Sequence, residues 1–508
     1  MFKRFVVLIT MVSISTLFFN SLPRAKAFTP LSAITVPKKA KKSRCAPCST
    51  SARSDNALDQ LDSLATLGRR TQSLPFAPLS RSVFEGTTVN MVSTATGHLT
   101  FSVTDLSISG ILPVKFQRIY ASDHSGDVGL GVGWSFTFDD RITVEGDTAI
   151  LTVGTGSVTA FRRDADSQRF ILKTAEPNAH QSFVVTDSDT INEQTGGMTR
   201  TYKRLGEAYR LSQIADLNGN KISITFDAHG NITRIGNESG RSLTLEWSDD
   251  RAARLLNVSD NTGQRVSFRQ DGQRLRAVTD SSGAQLIYDY EDGKLLTRAA
   301  DAVGRTLLRV RYDKTDRVVE SGDAAGTYSY QYDTAPGISH RTIVTDPVGV
   351  KTIYEQTDRG LLASFSDGEG AAARIEYNAA NRAVLLSDSN GNQVGFTFDA
   401  QNRLLRQSST DGTDISYAYD EQGRVSSVTD GGDRTDYTHD SRGNVIAAKN
   451  SDPARSYSAV LDARGQTLSV KSEKGREVSL EYDAAGNQTA FTFSILGAFK
   501  PNVTRRDA

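Results

Sequence analysis

From about residue 196 to residue 495 the apolar positions fall two apart, in runs of five to seven residues cut by Asp, Asn and Gly. The stretch from Asp414 to Asp420 is representative. Ile415, Tyr417 and Tyr419 share one face, and Ser416 and Ala418 take the other. Such alternation predicts strands of a sheet with one buried face. The pattern recurs. An aromatic residue or its equivalent, followed by Asp or a stand-in, places that second position near 227, 248, 269, 289, 313, 333, 355, 378, 399, 420, 440, 462 and 483, a spacing of 20 to 24 residues. The fuller copies are Phe226-Asp227, Tyr288-Asp289, Tyr312-Asp313, Tyr332-Asp333, Phe398-Asp399, Tyr419-Asp420 and Tyr482-Asp483; Trp247-Ser248, Phe268-Arg269, Tyr354-Glu355, Tyr377-Asn378, His439-Asp440 and Leu461-Asp462 are weaker.

Three residues after the Asp position stand Gly230, Arg251, Gly272, Asp292, Asp316, Pro336, Asp358, Asn381, Asn402, Gly423, Gly443, Gly465 and Gly486. Gly, Asn and Asp fill eleven of these thirteen places, and they are the residues that tolerate positive φ. The column therefore marks a left-handed turn position within a bulged hairpin. A second turn series interlaces with it: Asp216 to Gly219, Asp260 to Gly263, Asp280 to Gly283, Asp301 to Gly304, Asp323 to Gly326, Asp346 to Gly349, Asp367 to Gly370 and Asp388 to Gly391. Each unit then holds two strands and two turns, and a sheet of some 26 strands must coil, since open twisted sheets rarely pass about ten strands.

Repeated Tyr-Asp-x-x-Gly-Arg, clearest at Tyr419-Asp420-Glu421-Gln422-Gly423-Arg424, resembles the YD repeat of the Rhs family. Residues 89–142 resemble the β-rich domain that precedes such repeats, through Asn90, Thr96-Gly97, Asp105-Leu106, Phe116 to Tyr120 and Gly131-Val132-Gly133-Trp134. The residues read Trp134 as a core or plug aromatic rather than a ligand-binding one. The fold class expected is all-β: tandem β-hairpin repeats forming a long coiled antiparallel sheet or partial shell, preceded by a smaller β-rich domain. The resemblance implies a sheet shell around an effector, commonly a toxin. Family shells usually end in a self-cleaving motif containing Asp-Pro, followed by a variable domain. Residues 496–508 contain no such motif, and Asp346-Pro347-Val348-Gly349 reads as a turn. A truncated shell, an orphan remnant and one half of a two-chain shell are the readings this leaves open.

The organisation expected is a signal peptide at 1–27, a basic Ser- and Pro-rich linker at 28–80, a β-rich domain at 81–195, repeats at 196–495 and a tail at 496–508. Lys3 and Arg4 precede an apolar run that ends in Ala25-Lys26-Ala27, a small-x-small cleavage pattern. Export to the periplasm, the cell surface or the medium is expected, with no membrane span after cleavage. Cys45 and Cys48 have redox spacing, but they lie outside any strand-to-helix junction, so a local or intermolecular disulfide is the expected use. Lys plus Arg and Asp plus Glu both number 59, a balance that argues against nucleic acid as partner. The six His show no ligand-like pairing, and nearly every carboxylate is in turn phase. No catalytic, cofactor-binding or metal-ligating residue is expected, and no cofactor. The partners expected are a second Rhs-type chain or an effector. The alternative is a surface module binding a glycan or protein, whose aromatics would then be exposed.

Overall fold

A computed structural model describes residues 88–154, 158–165, 169–172, 182–195, 197–250, 253–291, 294–334, 337–367, 372–379, 381–401 and 403–495. The signal-peptide and linker readings, Cys45, Cys48 and the tail at 496–508 lie outside the described residues.

Every strand pairing in the main sheet is antiparallel, as period-two alternation interrupted by tight turns requires. That sheet is one meander from Arg141–Glu145 to Gln488–Ile495. The strands between residues 141 and 195 therefore share a sheet with the repeats, and the sheet has no break at 195. Thr100–Ile108, Val114–Ala121 and Trp134–Phe136 form a separate three-stranded sheet.

The start of the meander closes on itself. Strand Ala208–Ala215 pairs along one edge with Met198–Leu205. On its other edge, Tyr209 and Arg210 face Ile142 and Arg141, while Gln213 to Ala215 face Ser223 to Lys221. The strands from Arg141–Glu145 to Ala208–Ala215 thus form a ring with no free edge, and the ribbon of repeats leaves it at Gln213. Ile142, Phe161, Phe170, Ile191, Tyr202 and Leu211 are buried within this region.

Coiling has a local cause. In hairpin after hairpin the register shifts just before the motif aromatic, at Thr225/Phe226, Thr397/Phe398, Ala418/Tyr419 and Glu481/Tyr482. Each shift is a β-bulge, which bends the strand and raises its twist. Repeated on one edge of nearly every unit, though absent from the Tyr332 hairpin, the bends add in one sense. After one wind the ribbon meets its own beginning through its turns. The side-chain amides of Asn218 and Asn444, 226 residues apart, bond reciprocally (2.7 and 3.1 Å). Asn220 Nδ2 donates to the Arg464 carbonyl (2.8 Å), and Ser239 Oγ to the Ala485 carbonyl (2.8 Å).

The bulges also correct the phase of three copies. At Arg269/Gln270, Asp289/Tyr290 and Glu355/Gln356 the shift falls two residues later than the copies Phe268-Arg269, Tyr288-Asp289 and Tyr354-Glu355 require. The motif positions there are Gln270, Tyr290 and Gln356. Gly360 makes the turn bond back to Thr357 with φ at +76°, so Asp358 is not the left-handed residue. Phe268, Tyr288 and Tyr354 instead match Tyr417, one pleat further from the turn.

Arg251, Asp292, Pro336 and Asn402 lie outside the described residues. The turn assignment stands at Gly423, which bonds back to Asp420 (2.9 Å) with φ at +79°. Gly423→Val is expected to lower stability by about 1 kcal/mol or more, because a β-branched residue is strained there. An unchanged thermal midpoint would contradict the assignment.

Candidate functional site

Each residue of the repeated motif has a separate physical task. The motif tyrosine reaches back one unit: Tyr419 Oη donates to the Leu404 carbonyl at 2.7 Å. Tyr290, Tyr312, Tyr332, Tyr377 and Tyr482 do the same to Leu275, Leu296, Val318, Leu362 and Thr467 (2.7 to 2.9 Å). Trp247 Nε1 takes this role toward Ile232 (2.7 Å), and Gln270 Nε2 toward Leu255 (2.8 Å). The amide of Gln356 donates to the Ser339 carbonyl (2.7 Å) and accepts from Thr94 Oγ1 (3.0 Å). Replacing Tyr419 with Phe keeps the ring but strands that carbonyl. A loss of about 1 kcal/mol is expected in denaturant unfolding; no loss would show the bond to be incidental.

The aspartate organises its own turn. Asp399 Oδ1 accepts the amide N–H groups of Gln401 and Arg403, while Oδ2 holds Arg403 Nε at 2.6 Å. The arginine then stacks on the next unit, its guanidinium carbon 4.5 Å from the centre of the Tyr419 ring. Arg317 repeats this with Asp313 and Tyr332 (4.6 Å). One motif therefore links three things: its own turn, the preceding unit through Tyr, and the following unit through Arg.

The aromatic face that results is covered by the small sheet over part of its length. Trp134 is fully buried; its Nε1 donates to Tyr290 Oη (2.9 Å), and its ring lies 5.0 Å from that of Tyr288. Beside it Arg118, also without exposure, holds Asp105 through two bonds (2.5 and 2.8 Å) and donates to Tyr288 Oη (3.2 Å). Its guanidinium lies over Trp134, Phe268 and Tyr288 (5.1 to 5.9 Å). Burial opposes the charge, but Tyr288 and Asp105 raise the Arg118 pKa on balance. Burial also pushes the Tyr120 hydroxyl up to about 12 while it accepts the Leu296 N–H (2.9 Å).

Backbone of residues 94–132 crosses the turn edge of the same units. Leu255 N donates to Gly129 O, Val132 N to Gln273 O, Val318 N to Gly97 O and Ser339 N to Ala95 O (2.7 to 3.0 Å). Gly131 is required here, since a Cβ would stand 2.9 Å from the Arg274 backbone. Residues 92–136 thus act as a plug on the units up to Gln356. Past that point a second apolar cluster continues the face, with Ile375, Phe396, Tyr417 and Tyr437 buried and Tyr354, Tyr377 and Tyr457 packed against it. Desolvation pushes the Tyr377, Tyr417 and Tyr457 hydroxyls up to about 12.

Comparison with known proteins follows the same division. A family model described as an RHS repeat matches residues 398–435 and 419–454, and one described as a domain of unknown function, DUF6531, matches 89–161. A probable deoxyribonuclease RhsB of Dickeya dadantii (strain 3937) is 27% identical over 298 residues, covering 56% of this chain and 20% of the relative. The chain is an Rhs-type YD-repeat protein. This Rhs-type chain is also 25% identical over 269 residues to the double-stranded DNA deaminase toxin A of Burkholderia cenocepacia (strain H111), covering 48% of itself and 18% of that relative. It spans about a fifth of the length of the curated relatives it matches. Among solved structures, the Tc holotoxin pore of Photorhabdus luminescens is similar at 13% identity and a TM-score of 0.46, over 80% of this chain and 26% of that one.

Sequence reasoning read Trp134 as a core or plug aromatic, and the Rhs-type chain buries it completely. It singled out Asp105 and the Phe116 to Tyr120 strand without the Arg118–Asp105 pair, and it missed Gln270 and Gln356. The one available signal was the Gln itself, which stands two residues after an aromatic and just before a turn.

Proposed function

We propose that the chain is a structural segment of an exported shell that encloses or positions a toxin or effector. The plug fills one part of the coil, and the face from Leu362 to Tyr457 lines the part that meets cargo. The observation that carries this reading is the winding itself. The ribbon returns onto its own first turns, so its aromatic face looks into a bounded space. Tyr417 and Tyr437 are each only 8% exposed, which supports a shell over an adhesive surface that presents its aromatics to solvent. The names of the two relatives, a deoxyribonuclease and a deaminase toxin, support a toxin as the enclosed class. In this reading chemistry belongs to the enclosed partner, and the chain supplies confinement and, through residues 1–27, export.

The test is cross-linking mass spectrometry on the chain purified from its native host. A stoichiometric partner, cross-linked to residues flanking Tyr377, Tyr417 and Tyr437, is expected. A chain recovered alone, or cross-links confined to the opposite face around Arg311, Glu320, Arg406 and Asp414, would overturn the reading.

A further inference from the structure

The back-reaching bond of the motif tyrosine fails at two successive units. Tyr419 and Tyr482 make it, but His439 and Leu461 stand in the positions between. Both of those units meet the start of the ribbon, Asn444 on Asn218 and the Arg464 carbonyl on Asn220, and the unit of Tyr482 continues the contact through Ser239 and the Ala485 carbonyl. This seam consists of side-chain bonds between turns, without a backbone ladder, and such contacts open at low free energy.

His439 is half-buried at this joint, and among the described residues it has no ion pair. From the preceding unit it faces Arg424 and Asp420, and on its own turn Asp440. Both carboxylates are already engaged, Asp420 by Arg424 and Asp440 by Asn444. Across the seam stands Asp216, whose carboxylate is taken by Asn218 N and by Asn220. Arg424 also ties the two units directly, donating Nη1 to the Asp440 carbonyl (3.3 Å). A second positive charge at His439 would push against that guanidinium and load the turn that carries Asn444.

We propose that the contact between the turns at 440–444 and 216–220 is an acid-sensitive seam, released when the His439 imidazole is protonated. Burial and the nearby Arg424 guanidinium hold His439 below the usual imidazole range, against the opposing pull of Asp420 and Asp440. With the folded value below the unfolded one, stability is complete above about pH 6.5 and is lost as the pH falls through that value toward the lowered one. Turn hydrogen bonds hold Asp280 and Asp388 below the usual carboxylate range, so their turns serve as controls outside this window.

The test is hydrogen exchange on the full chain at about pH 7.5 and about pH 5.5, corrected for intrinsic rate. Peptides covering 216–222 and 440–446 are expected to exchange at least about threefold faster at the lower pH. The turns at 280–284 and 388–392, which share the aspartate chemistry but lie away from the seam, should stay flat. His439→Tyr restores the residue type that bonds to the preceding carbonyl and should abolish the response; His439→Phe, which only removes the titration, should abolish it too. Equal rates at both pH values, an equal rise at the control turns, or an unchanged acid response in either variant would overturn the proposal.

Discussion

Arg118→Ala is expected to destabilise the protein by about 3–5 kcal/mol, the cost of breaking a buried ion pair from one side. Asp105, its side chain only 5% exposed, would lose the one ion-pair partner it has among the described residues. The rings of Trp134, Phe268 and Tyr288 would lose the planar cation packed between them. Denaturant unfolding followed by tryptophan fluorescence reads this site directly. The chain has two tryptophans, Trp134 within the plug and Trp247 with its ring 6.5 Å from that of Phe136. Arg118→Met alone should cost nearly as much, because it still strands Asp105. Arg118→Met combined with Asp105→Leu should recover most of the loss, as buried pairs often exchange for apolar residues at little cost. A stability change under about 1 kcal/mol in the alanine variant would mean that the plug does not depend on this pair.

The second large effect is acid unfolding of the repeats. At Asp227, Asp260, Asp313, Asp388, Asp399, Asp420, Asp440 and Asp483, desolvation works against ionisation. It is outweighed by turn N–H groups and by the Thr, Asn or Arg side chain beside each carboxylate, so the pKa falls below 3.8. A depressed carboxylate stabilises the fold above its unfolded value, and that contribution disappears as pH drops through the folded value. The loss therefore lies below about pH 4, and it recurs in unit after unit of a nearest-neighbour array. Circular dichroism should show a steep transition there, with an uptake of several protons. Strands that persist at about pH 2, or a global transition beginning above about pH 5, would contradict the role assigned to the turn aspartates. Added salt should change the midpoint little, since these bonds are short and local.

The all-β class, the hairpin period and the turn column were legible in the sequence because each depends on neighbours within about six residues. Gly423 and Asp420 announce a turn without knowledge of the rest of the chain. The exact phase was less legible. Phe268, Tyr288 and Tyr354 are aromatic for the same reason as Tyr417, burial on one face, and nothing local separates them from the motif tyrosine two residues later. Only the bulge does, and a bulge is a relation between two strands. Arg118 illustrates a harder limit. Its partners Asp105, Trp134, Phe268 and Tyr288 are scattered over 184 residues, and their meeting depends on how far each unit turns the ribbon. The ring closure of Arg141–Glu145 onto Tyr209 and Arg210 is of the same kind.

The direction of the tyrosine bond gives the ribbon a polarity in time as well as in space. Each hydroxyl secures the unit made before it and never the one made after. A nascent chain emerging amino end first can therefore fasten every hairpin as soon as its successor leaves the ribosome. Because residues 92–136 come out ahead of all the repeats, the plug is the mandrel on which the first wind is laid. Synthesis thus lays the ribbon down from the plug outward, and partly made chains would differ in length but not in the order of what has set.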